Sequence, residues 1–129
     1  MKSLVKYLAE SHSFLINKHT SKIYNYHPQT RDELKELIDK LIEERGNKAD
    51  LNNIDTSDIT DMDGLFEGSK FNGDISKWDV SKVKNMIYMF KDSNFNGDIS
   101  NWDVRNVTNM YFMFKNCPLQ NNPPKWYKE

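Results

Sequence analysis

FNGDISKWDVSKVKNMIYMFKDSN (residues 71–94) is followed at once by FNGDISNWDVRNVTNMYFMFKNCP (residues 95–118). Of the 24 positions 15 are identical, so the chain repeats itself with a period of 24. Phe71 aligns with Phe95, Trp78 with Trp102, Met86 with Met110 and Phe90 with Phe114. One period earlier, Leu51, Ile54, Thr56, Ile59, Met62 and Phe66 fall in register with Ile75, Trp78, Val80, Val83, Met86 and Phe90, which makes 51–70 a degenerate copy. One period later, Leu119 and Trp126 align with Phe95 and Trp102, so 119–129 reads as a truncated fourth copy. Self-similarity at a fixed period of this size marks an array of like units, each burying its apolar face on the next.

Inside the unit, Ile75-x-x-Trp78-x-Val80-x-x-Val83-x-x-Met86 has the apolar spacing of a leucine-rich repeat. Its alternating step predicts a short strand near Lys77–Ser81, and Asn85-Met86-x-x-Met89-Phe90 has the i, i+3, i+4 spacing of a helical turn. Phe71-Asn72-Gly73 then turns the chain back. Asn-Gly is also the commonest hairpin signal, but its flanks do not both alternate as strands, whereas one strand per unit accounts for every copy. The expected fold is an α/β repeat solenoid, leucine-rich-repeat-like, with one short parallel strand per 24 residues.

The pattern F-N-G-D-I-S-x-W-D-V-x-x-V-x-N-M-x-x-M-F resembles the repeats of BspA-like bacterial surface proteins, a divergent leucine-rich-repeat class. The resemblance covers roughly residues 28–118 and implies a solenoid with a binding role. Many such proteins are long and are secreted or lipid-anchored, whereas this sequence is short and shows no export signal.

An end unit must be covered, and residues 30–50 suit that purpose. Thr30 and Glu33 form a capping box, Leu34, Leu37, Ile38, Leu41 and Ile42 make one apolar face, and Gly46 is a C-terminal stop. The helix is expected to cap Leu51, Ile54 and Ile59; an amphipathic helix that binds a partner is the sharper alternative. Residues 1–29 form a separate N-terminal segment. Within it, Leu4, Val5 and Leu8 suggest a short helix over 2–10, and Ile23, Tyr24 and Tyr26 suggest an extended stretch ended by Pro28. The opening decapeptide resembles the capsid-targeting peptides of T-even-like tailed phages, with Leu8-Ala9-Glu10 as the implied cleavage motif and Ser11 as the new N-terminus. That likeness implies a phage-encoded protein, carried in the virion or acting against a host defence factor.

Lys and Arg number 18 and Asp and Glu 19, for a net charge of −1, and neither half of the chain is a charged tail. A nucleic acid or an anionic membrane would call for a basic face, so neither is expected as a partner. Hydrophobic residues make up 37% and aromatics 12%, too little for a large globular core but too regular for disorder. No run approaches the roughly 20 apolar residues of a membrane span. Lys6 and Glu10 interrupt any secretory h-region, so a cytoplasmic location in the producing or host cell, or a virion, is expected.

Signatures of catalysis are missing. His12, His19 and His27 lack the spacing of a helical metal pair, Asp61-x-Asp63-Gly64 lacks the rest of a calcium loop, and Cys117 is the lone thiol. Neither a metal nor a cofactor is expected, and the Met62/Met86/Met110 and Phe66/Phe90/Phe114 series reads as core. Function then falls to the outward positions of the expected strands, which are Asn53, Asp55 and Ser57; Lys77, Asp79 and Ser81; and Asn101, Asp103 and Arg105. They would line a concave face that binds a protein partner. Stacked Asp55, Asp79 and Asp103 would repel one another, so they either cap nearby backbone and hydroxyl groups or await a basic partner. Positions 77/101, 81/105, 82/106, 84/108, 87/111 and 88/112 differ between the two best copies, as an adaptable surface would. The alternative role is a small assembly protein that self-associates through an open C-terminal edge near Trp126.

Overall fold

The computed structural model describes residues 15–17 and 22–128. A two-stranded antiparallel pair, β1 (Leu15–Asn17) and β2 (Lys22–Tyr24), joins Leu15 to Tyr24 and Asn17 to Lys22. The helix α1 (Arg31–Arg45) follows, and a 3-10 turn lies at Pro118–Gln120. The expected helix over 2–10, the Leu8-Ala9-Glu10 motif, His12 and His19 lie outside the described residues.

Local chemistry accounts for α1. The Thr30 hydroxyl accepts from the Glu33 N–H at 3.2 Å, and the Glu33 carboxylate reaches back to the Gln29 N–H at 2.8 Å. Gly46 ends the helix at φ 93°, with its N–H on the Ile42 carbonyl at 2.7 Å. Leu34, Leu37, Ile38 and Leu41 are buried and share one core with Leu51, Ile54 and Ile59. Arg31 extends this cover, its Nε donating to the Asp63 carbonyl at 2.9 Å.

The expected α/β solenoid with one strand per unit does not hold. Residues 51–117 contain no strand and no helix; single-residue parallel bridges, such as Asp61 to Asn85 and Asn85 to Asn109, replace a sheet. The segment Lys77–Ser81 is not a strand, because turns at Ser76–Lys77 and Ser81–Lys82 bracket it and the three residues between them join no ladder. The expected helical turn at Met86–Phe90 is also absent, since Tyr88 has φ 57° and the segment runs as successive tight turns.

Three tiers of turns nevertheless stack with the 24-residue period. The Met62, Gly64 and Phe66 amides donate to the Asn85, Ile87 and Met89 carbonyls at 2.8–2.9 Å, and those of Met86, Tyr88 and Phe90 donate to Asn109, Tyr111 and Met113 at 2.8–3.0 Å. Like residues stack inside. Phe66, Phe90 and Phe114 form one column with centroids 5.4 and 5.8 Å apart and planes within 4°. Trp78, Trp102 and Trp126 form another at 6.5 and 6.3 Å. Each indole N–H also ties its tier to the one before, Trp78 to Leu51, Trp102 to Ile75 and Trp126 to Ile99. A buried indole needs such a partner.

Candidate interaction surfaces

The acidic stripe turns out to be built into the corners of the tiers. Asp55, Asp79 and Asp103 each accept from the backbone N–H two residues on, at Ser57, Ser81 and Arg105, at 3.0–3.3 Å. The Ser81 hydroxyl and the Arg105 guanidinium add further bonds to the same carboxylates. Such turns hold the backbone away from strand geometry. The same device recurs at Asp50, Asp74 and Asp98, and again at Asp61, Asn85 and Asn109, so three corners of every tier are made this way.

Asp55, expected on an exposed face, is only 6% exposed. His27 lies against it, with Nδ1 2.9 Å from Asp55 and Nε2 3.0 Å from Asp58, whose other oxygen is 3.5 Å from Lys82. Asn53 is spent on the N-terminal segment, bonding Asn25 at 2.8 Å, while Ser57 and Ser81 are half-buried. Lys77, Asn101, Asp103 and Arg105 are exposed. The nine expected residues are therefore not one open face; the early ones pin the chain and only the later ones meet solvent.

A different surface is open. Where the first tier has Gly64 and Gly68 at φ 59° and 67°, the later tiers place Tyr88 and Asp92, then Phe112 and Asn116, at φ 51–58°. Asp and Asn visit this left-handed region readily, but bulky side chains do not, and holding one there costs roughly 1–3 kcal/mol. The rings so placed form a ridge. Tyr88 stacks on Phe112 at 6.3 Å, Tyr111 packs beside Phe112 at 4.1 Å, and Tyr111 is 53% exposed. Lys115 Nζ sits 4.4 Å from the Phe112 centroid and Lys91 Nζ 5.4 Å from that of Tyr88. Lys91 is also held by Asp92 at 3.2 Å, while Lys115 has no carboxylate partner among the described residues. Positions 87/111 and 88/112 vary between copies, which marks the ridge in the sequence. Its conformation is signalled only by the glycine in register at 64.

Cys117 is buried, its thiol on the Phe95 carbonyl at 3.2 Å, and the described residues hold no cluster of His, Cys, Asp and Glu fit for a metal. No described helix is long and apolar enough to cross a membrane. What the fold presents is a stack of tiers with adjoining aromatic and cationic groups at its surface.

Residues 33–128 match the family described as "Mycoplasma protein of unknown function, DUF285", and the chain belongs to it. No curated protein and no solved structure matches the chain.

Proposed function

We propose that this chain is a non-enzymatic interaction module that binds a protein partner through the ridge of Tyr88, Tyr111 and Phe112 with its flanking lysines. The observation that carries the reading is the placement of two aromatic residues at left-handed backbone positions where the first tier has glycine. Stability alone favours glycine there. A surface that keeps Tyr and Phe instead spends folding free energy on presenting rings, and backbone strain of this kind gathers at binding sites. Aromatic groups with adjacent cations are also the side chains that dominate protein interfaces. The likeness to BspA-like repeats points the same way, towards binding.

The test is affinity capture with the whole chain as bait, using the parent, a Tyr88→Gly/Phe112→Gly variant and a Lys77→Ala/Asn101→Ala variant. Relief of left-handed strain offsets part of the lost ring contact, so the glycine variant should stay folded within about 2 kcal/mol of the parent. It should lose a partner that the parent and the Lys77/Asn101 variant both retain. A partner kept by the glycine variant and lost from the other would move the site to the expected stripe.

A further inference from the structure

Along residues 62–68 and 86–92 the hydrogen bonds between tiers run one way, whereas the Lys84 and Thr108 amides donate back to the Thr60 and Lys84 carbonyls. In each tier the amides of alternate residues, 62, 64, 66 and then 86, 88, 90, donate to carbonyls of the following tier. The carbonyls of Met62, Met86, Tyr88 and Phe90 are spent within their own tier, on Leu65, Met89, Lys91 and Ser93. The last tier repeats this geometry, because Met113 N–H donates to the Met110 carbonyl and Lys115 N–H to that of Phe112. Its Asn116 amide, the counterpart of Gly68 and Asp92, is taken by the Gln120 side chain at 2.8 Å. The amides of Met110, Phe112 and Phe114 have no acceptor among the described residues.

That edge therefore presents hydrogen-bond donors in a row. The side chains around it agree in character. Val80, Val83 and Met86 are at most 1% exposed, but their counterparts Val104, Val107 and Met110 are only partly buried. Together with Thr108, Trp126 and Lys128 these three line a cavity of about 360 Å³. On the other side Phe112, Phe114, Lys115 and Tyr127 line one of about 290 Å³. Lysines thus flank the row on both sides, and among the described residues no acidic one lines either cavity.

We propose that this edge binds an acidic peptide segment of a protein partner, whose main-chain carbonyls accept from Met110, Phe112 and Phe114. The two tiers beneath show the pairing such a segment would continue: carbonyls of alternate residues, with apolar side chains directed inward. Its acidic character follows from Lys115 and Lys128. A second copy is the poorer occupant. Its matching carbonyl edge lies under α1, with the Asp63 carbonyl already bonded to Arg31, and its own donor edge would oppose donors with donors. The inference stands on the backbone and does not depend on the aromatic ridge.

The probes are a synthetic peptide with the sequence of residues 85–92 and the same peptide carrying Lys91→Glu, each added to the whole isotope-labelled chain. Amide exchange is followed residue by residue. Without peptide, the Met110, Phe112 and Phe114 amides should exchange on the order of 100-fold faster than those of Met86, Tyr88 and Phe90. Either peptide should slow those three, and the Lys91→Glu form should do so at about threefold lower concentration. The whole chain carrying Lys115→Glu and Lys128→Glu should lose that preference. Slow exchange of the three amides before peptide is added would overturn the proposal, and so would protection elsewhere or none at millimolar peptide. Protection that grows with protein concentration alone would assign the edge to a second copy and overturn it as well. The Tyr88→Gly/Phe112→Gly variant retains its 112 amide, so failure of the ridge and failure of the edge are separable.

Discussion

The corner carboxylates show how one side chain decides local geometry here. The Ser76 hydroxyl, then the Asn52 side chain and the Ser76 backbone N–H, hold the Asp74 carboxyl at about 2. The Ser100 hydroxyl and N–H lower Asp98 in the same way, and the Arg105 guanidinium lowers Asp103. In each case the folded chain favours the ionised form more than the unfolded chain does. For Asp74 the contribution to stability is therefore complete above the unfolded value of about 4 and is lost as pH falls towards about 2. Denaturant midpoints measured across that window should drop for the parent, and the drop should be smaller for Asp74→Ala. Equal slopes for the two proteins would mean that the Asp74 corner is not formed in solution. The sequence offers two readings of Asp55, Asp79 and Asp103, as capping groups or as a stripe awaiting a basic partner. The geometry supplies the capping bonds at every one of them.

At the scale of the repeating element, the 24-residue period and the inward-facing residues are legible, because apolar identity recurs wherever tiers stack. Secondary structure is not. Trp78-Asp79-Val80 alternates in and out as a strand would, yet the Asp79 carboxylate takes the Ser81 amide, and Val83 N–H turns back to the Val80 carbonyl at 3.0 Å. Alternation reports which side chains face inward and says nothing of where the amides go. Likewise i, i+4 spacing at Met86 and Phe90 arises from a left-handed residue at 88 and not from a helix. The Asn-Gly pair shows the same limit. Gly73 is needed for close approach, since a Cβ there would lie 1.9 Å from the Ala49 carbonyl oxygen, to which the Asp74 amide donates at 3.0 Å. Its counterpart Gly97 would meet only the Phe95 ring at 2.6 Å and the Gly73 carbonyl at 3.3 Å. Gly73→Ala should thus cost at least about 1–3 kcal/mol in chemical denaturation, and more than Gly97→Ala. The reverse order would show that the first two tiers approach less closely than described.

Considered as a whole, the two ends of the stack differ along the row of residues 62–66, 86–90 and 110–114, and this bears on its assembly state. Its N-terminal end is closed by α1, by Arg31 on the Asp63 carbonyl, and by Tyr26, whose carbonyl accepts from Asp55 at 2.8 Å. At its other end the Met110, Phe112 and Phe114 amides form a row of donors, beside the Thr108 carbonyl that stands in register with the acceptors Thr60 and Lys84. Two chains meeting tail to tail would set the Met110, Phe112 and Phe114 amides against one another, leaving polar groups buried without partners at a cost of about 1–3 kcal/mol each. Two chains meeting head to tail would have to displace α1, whose Leu34, Leu37, Ile38 and Leu41 are at most 1% exposed, and so expose much of the core. Neither contact offers a net gain. Sedimentation velocity over a range of concentrations should accordingly show one species of 15.3 kDa, with no growth as concentration rises. A series of multiples would identify a head-to-tail polymer and would favour the assembly role for the open edge over partner binding. A monomer leaves that edge free for a segment from another protein, which is the condition that the peptide experiment requires.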